Sequence, residues 1–239
     1  MGWLSEQVGE NWWKIIKPIV QTEQFKKDWT AIMNDYSKIV CFPEKNTIFR
    51  AFKEVDVDNV RVVLIGQDPY IGVNADGTSE ATGLAFDTNG KKITPTLKQM
   101  YYAFSDEYPH NFYTDLMDGK LHRWSEKGIL MLNTSLTVQK GISNSHKQYW
   151  KEFTGLLFRQ LDAIKTPILF IAWGQDAKGF ANLIQNPIHQ KIIAPHPASA
   201  LYKGIKWDSK GTFKGIENFI KENYDKSFEW ESKGTFSRQ

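Results

Sequence analysis

With 239 residues, 41% of them hydrophobic and 14% aromatic, the chain can close one sizeable core, so a single domain spanning 1–239 is expected. A net charge of +3 and a pI near 8.7 suit a polyanionic partner without singling one out. Cys41 is the only cysteine, which excludes an intrachain disulfide, a thiolate zinc site and an iron–sulfur cluster, and fits a reducing, intracellular (cytoplasmic) compartment.

The first residues, MGWLSEQVGENWWK, contain no uninterrupted apolar stretch of signal-peptide length, and Glu6 stands where a myristoylation signal needs Ser or Thr. No membrane partner is expected. Phe25, Trp29, Ile32 and Met33 fall at helical spacing, giving a helical N-terminal part over about 1–40. The first buried strand is RVVLIG at 61–66. Thr94 followed by Pro95 is the signature of an N-cap with proline at the first helical position, and Leu97, Met100, Tyr101 and Phe104 continue it at helical spacing. A second strand, GILML at 128–132, follows. Trp150, Phe153, Leu157 and Leu161 then repeat the helical pattern. PILFIAWG at 167–174 and KIIAPH at 191–196 read as two more buried strands, and Phe213, Ile216 and Ile220 as a last helix. The segment from Ser227 reads as a loose tail.

Strands alternating with helices imply an α/β fold, with a central, mostly parallel four-stranded sheet flanked by helices on both faces. In such sheets ligands bind beyond the carboxyl ends of the strands, so the polar residues found there are the functional candidates. After the first strand comes Gly66-Gln67-Asp68-Pro69-Tyr70, where a carboxylate braced by proline can orient a water or stabilise a developing cation; Asp-Pro is also a common turn. After the second comes Asn133, whose amide carries the donor and acceptor needed to read a nucleobase edge, or alternatively caps a turn. After the fourth comes His196 between Pro195 and Pro197, which restrict the backbone on both sides. Phe86 and Tyr70 can form the walls of a site for a flat ligand or simply fill the core. The five histidines, at 110, 122, 146, 189 and 196, show no metal-ligand spacing, and no metal or cofactor is expected.

VVLIGQDPY, GLAF at 83–86, GILMLNTSLTV at 128–138, NSHK at 144–147 and APHPAS at 194–199 together resemble the ordered signature set of family-1 uracil-DNA glycosylases, from about Phe42 to about Tyr224. The resemblance implies hydrolysis of the N-glycosidic bond of uracil flipped out of single- or double-stranded DNA, leaving an abasic site for base-excision repair. It implies catalytic roles for Asp68 and His196. Uracil would be held by Gln67 through its main chain, Tyr70 as the wall against a thymine methyl, Phe86 by stacking, and Asn133 at the base edge. Thr96, Gln175 and Ser199 match the region of phosphate-pinching serines, and Leu201 matches the wedge leucine one position late; apart from the resemblance, Lys203, first of the lysines after the His196 loop, can neutralise a phosphate or simply face solvent. Uracil-containing DNA is the partner implied, with a proteinaceous inhibitor as a further candidate and a monomer as the expected state.

The chain departs from the family pattern at Ile71, where the family usually has His, and in the segment after Tyr70, IGVNADGTSEAT, which is a few residues longer than usual and carries Asp76 and Glu80. These departures motivate two alternatives: a DNA-binding replication-accessory protein with weak or no catalysis, and a glycosylase preferring a 5-modified uracil.

Overall fold

The computed structural model describes residues 2–90, 93–109 and 119–230. It opens with α1 (Gly2–Val8), α2 (Glu10–Val20) and α3 (Glu23–Lys38), then α4 (Arg50–Glu54). The central sheet is built from β2 (Val62–Gly66), β3 (Ile129–Asn133), β5 (Leu169–Trp173) and β6 (Gln190–Ala194), all parallel, in the order β3-β2-β5-β6. The intervening crossovers are α5 (Pro95–Glu107), α6 (Lys147–Asp162) and α7 (Gln175–Ala181), and the chain continues into α8 (Pro197–Tyr202) and α9 (Thr212–Asn223). The expected architecture and all four strands are therefore present, with ends shifted by one or two residues.

Three features differ from the expectation. A second, two-stranded antiparallel sheet pairs β1 (Cys41–Phe42) with β4 (Val138–Gln139); runs of two residues carry no readable period. β6 is an edge strand with Gln190, Lys191 and Ile193 exposed, whereas every residue of β2, β3 and β5 is buried. The segment from Ser227 is not loose at its start, since Phe228 and Trp230 are buried and Trp230 packs edge-on against Phe104 and Phe213. The remainder of that tail, 231–239, lies outside the described residues.

Residues of one strand alternate between faces of the sheet. Phe170 of β5 meets Phe158 of α6, while Trp173, of opposite parity, meets Phe213 of α9, so these helices cover opposite faces. Thr94 caps α5 by accepting the Leu97 N–H at 3.2 Å, with Pro95 at the first helical position as expected. Leu97, Met100 and Phe104 of that helix are buried, as are Trp150, Phe153, Leu157 and Leu161 of α6.

Ile71 joins a small second apolar cluster with Phe42, Ala81 and Val138, and Val73 packs beside it. The longer 71–82 segment folds back as a short antiparallel turn, bridged between Val73 and Ser79 and braced by the Asp76 carboxylate accepting from Thr78 N–H and O–H. Ile71 is half-buried, with an apolar cluster beside it.

Candidate active site

The carboxyl ends of the parallel strands carry the expected residues into one place. Gln67, Asp68, Pro69, Tyr70, Phe86, Thr96, Asn133 and His196 line a common pocket of about 360 Å³, joined by Ile71, Leu84, Ser143 and Tyr202. β2 lies between β3 and β5, where the chain's crossovers change direction, which is where such sheets bind ligands.

Asp68 is held by donors from a different segment. Its Oδ2 accepts from Ser143 Oγ at 2.8 Å and Asn144 N–H at 2.7 Å, while Oδ1 accepts weakly from Gln67 Nε2 at 3.3 Å. Asn144 reaches it in a left-handed conformation, φ 62°, which asparagine tolerates better than most side chains. That turn is anchored from below by buried His146. The Asp35 carboxylate accepts from His146 Nε2 at 3.2 Å, so the hydrogen of the neutral imidazole sits there and Nδ1 accepts from Thr137 Oγ1 at 2.8 Å, whose oxygen in turn accepts from Trp150 Nε1 at 2.7 Å. Burial pushes His146 below its ordinary pKa against the opposing pull of Asp35, keeping it neutral.

Asn133 closes β3 directly opposite Gly66 in the register. Its amide is buried, and a Cβ built on Gly66 would stand 2.2 Å from Asn133 Oδ1 and 2.7 Å from the Ala85 methyl. Only glycine leaves room there. The Gln67 carbonyl is engaged by Thr134 Oγ1 and by Ser135 N–H, both at 2.9 Å, so a main-chain contact with a base falls to the Gln67 N–H.

His196 caps α8, its Nδ1 accepting Ala198 N–H at 3.2 Å. The hydrogen of the neutral ring therefore sits on Nε2. Burial lowers its pKa while the nearby Asp68 carboxylate raises it, with burial the larger effect. At neutral pH the ring is an uncharged donor. Gly174, at φ 95°, passes close beneath it, 3.0 Å from where its own Cβ would stand to that of His196.

Phe86 sits in the left-handed region at φ 65°, its ring 5.2 Å from Trp173 and 6.4 Å from His196. Tyr70 donates to the Phe86 carbonyl at 3.3 Å and lies 3.0 Å from Thr94 Oγ1; burial pushes its phenol up to about 12. Gln175 and Ser199 do not enter this pocket. They meet Lys178 and Pro195 in an adjoining groove that shares His196, and Ser199 Oγ donates to the His196 carbonyl at 2.7 Å. Lys203 is exposed at the end of α8. Leu201 is 44% exposed and lies outside the pocket lining, whereas Tyr202 beside it is 88% exposed and lines the mouth. Ser143 and Tyr202 were not singled out by sequence, and Thr94 was read only as the cap of α5; Ser143 directly precedes the NSHK run.

Among the described residues no cluster of three or more His, Cys, Asp or Glu side chains could hold a metal, and no helix is long and apolar enough to cross a membrane. His110 lies outside the described residues.

Residues 52–220 match the family model of the uracil DNA glycosylase superfamily. A uracil-DNA glycosylase of Bacillus anthracis is 36% identical over 190 residues, covering 79% of this chain and 81% of its own, and one of Bacillus cereus is 35% identical over 197 residues, covering 82% and 84%. The crystal structure of mimivirus uracil-DNA glycosylase superposes with a TM-score of 0.84 at 21% identity, over 95% of this chain and 88% of that one. A variant of the mimivirus protein, solved in complex with UGI, superposes equally well, with a TM-score of 0.84 at 21% identity over 95% of this chain and 90% of that one. On the family model and the Bacillus relatives, the chain belongs to the uracil DNA glycosylase superfamily.

Proposed function

We propose that this protein hydrolyses the N-glycosidic bond of uracil in single- and double-stranded DNA, after the base has flipped into the 360 Å³ pocket. The observation that carries the reading is the convergence of one carboxylate, one neutral imidazole, one buried amide and one aromatic face on that pocket. Uracil is planar and bears an acceptor–donor–acceptor edge, which the Asn133 amide complements with a donor and an acceptor of its own. Phe86 offers the stacking face. Cytosine presents a donor where Asn133 expects an acceptor, and Tyr70 stands against a methyl at C5.

As the bond to the sugar lengthens, positive charge grows on the sugar and negative charge on the base. Asp68, fixed by Ser143 and Asn144, faces the first charge and orients the attacking water with its less occupied Oδ1. His196 donates from Nε2 to the uracil oxygen that gains the second charge. A neutral ring suits this role, because it stabilises the departing anion without transferring a proton to it. Water supplies the hydroxyl to the sugar, and its remaining proton leaves with the base.

The adjoining groove of Gln175, Lys178 and Ser199, with Thr96 and Lys203, would track the DNA backbone. Its exposure and its place at the pocket mouth make Tyr202 rather than Leu201 the side chain that fills the gap left by the flipped base. A protein inhibitor seated on the same surface is a further partner in this reading, as is action as an intracellular monomer.

The test is release of free uracil from single-stranded and U·G-containing oligonucleotides in chelator, with thymine and cytosine substrates as controls. Asp68→Asn and His196→Leu should each lower kcat by on the order of 10²–10³ without unfolding the protein. DNA binding with no base release by the parent protein would refute the catalytic reading, and full activity in Asp68→Asn would refute the assigned mechanism.

A further inference from the structure

We propose that Thr94 is a specificity-determining positioning residue: its hydroxyl locks the Tyr70 wall in place and thereby sets how strictly the pocket rejects bases substituted at C5. The inference rests on the uracil-hydrolysing reading and adds to it a residue outside the pocket lining.

One hydrogen bond joins Thr94 to the pocket wall. Thr94 Oγ1 accepts the Leu97 N–H at 3.2 Å as the cap of α5 and lies 3.0 Å from Tyr70 Oη, which in turn is within reach of the Phe86 carbonyl at 3.3 Å. Where Tyr70 gives its hydrogen to Phe86, Thr94 donates to Tyr70; where Tyr70 gives it to Thr94, the bond between the two side chains remains. The series runs from a helix N-terminus, through the side chain that faces C5, to the backbone of the stacking residue. That backbone is in the left-handed region at φ 65°, where a phenylalanine does not rest unaided. The Tyr70 ring is thus fixed at its outer end by α5, and the same contact holds the Phe86 shelf.

A wall excludes a methyl group only as far as it resists being pushed aside. Discrimination by shape at one methyl is modest in a pocket that can yield, so the stiffness of Tyr70 matters as much as its presence. α5 supplies that stiffness: its buried face, Leu97, Met100 and Phe104, is seated in the main core, and Thr94 connects that seat to the pocket.

The decisive variant is Thr94→Val, which keeps the shape of the side chain and removes both the helix cap and the bond to Tyr70. Thr94→Ala removes the same two bonds with less bulk, and Thr94→Ser keeps both. The readout is the kcat/KM ratio for 5-fluorouracil and thymine relative to uracil, in one single-stranded oligonucleotide context. Expected is a rise of about three- to ten-fold in the thymine-to-uracil ratio for Thr94→Val and Thr94→Ala, the scale of one net hydrogen bond, a smaller rise for fluorine, and restoration in Thr94→Ser. A merely structural role for Thr94 would slow all three substrates alike and leave the ratios unchanged, which would overturn the proposal. Should Thr94→Val fail to fold, Thr94→Ala and Thr94→Ser still decide it. If the parent protein releases no uracil, the proposed function itself falls; if it releases uracil and the ratios of the Thr94 variants do not move, only the role of Thr94 falls.

Discussion

Replacing Gly66 by alanine adds one methyl at the point where β2 and β3 present the site. The new Cβ would stand 2.2 Å from Asn133 Oδ1 and 2.7 Å from the Ala85 methyl, against an ordinary carbon–oxygen contact of about 3.3 Å. Something has to move by about 1 Å, and misplacement of that size in a reacting constellation costs about 10²-fold in rate. Asn133 is the part that gives way, because Ala85 is pinned by its N–H to the Met131 carbonyl at 3.1 Å. Overpacking of this kind costs about 1–3 kcal/mol in stability, which for a chain of this size lowers Tm by about 2–12 °C. The assay is kcat/KM for uracil release together with thermal melting. Val63→Ala serves as a control, since it removes a fully buried mid-strand side chain away from the pocket and should cost stability but little activity at 25 °C. If Gly66→Ala loses stability yet keeps kcat/KM within about two-fold of the parent, the pocket does not depend on the position of Asn133 and the reasoning fails.

Two further outcomes are expected. Burial lowers the pKa of His146, His189 and His196 from 6.5, so unfolding takes up protons: their contribution is complete above pH 6.5 and is lost as pH falls toward the folded-state values. Glu107, pushed upward by burial, works in the opposite sense, so a Tm that declines from pH 8 to 5.5 records the histidines prevailing, and a Tm that rises over that range would contradict the expectation. Tyr202→Ala should lower kcat/KM on duplex uracil substrates by about ten-fold while sparing single-stranded ones, and Leu201→Ala should change both little; the reverse ranking would return the wedge to Leu201.

Three strands of the sheet, β2, β3 and β5, were legible because they are buried on both faces and read as apolar runs, and the crossover helices because their apolar spacing is clean. Position at the strand ends then picked out Asp68, Asn133 and His196 without any contact information. What could not be read is what those residues touch. Ser143 and Asp68 are 75 residues apart, and nothing local marks a serine hydroxyl as a carboxylate donor. Thr94 was visible as a helix cap, but its second hydrogen bond depends on how α5 seats beside the pocket. Leu201 was matched to the wedge leucine by its residue type, whereas which side chain stands at the pocket mouth turns on the direction in which a six-residue helix presents its last turn. Ile71 stood out as a departure from the family pattern, and its apolar neighbours come from the small sheet of β1 and β4, which the sequence did not announce.

The strand order has a consequence for synthesis. β2, first of the four to leave the ribosome, takes its place between β3 and β5, and β5 begins more than 100 residues later in the chain. Asp68 emerges early, but the imidazole opposite it follows β6, the last of the four strands in the sequence. Until that strand arrives the nascent chain presents a carboxylate with no opposing donor and an unpaired sheet edge. The two groups that face the opposite charges of the reaction therefore come together only once the fourth strand has been made, more than 120 residues after the first.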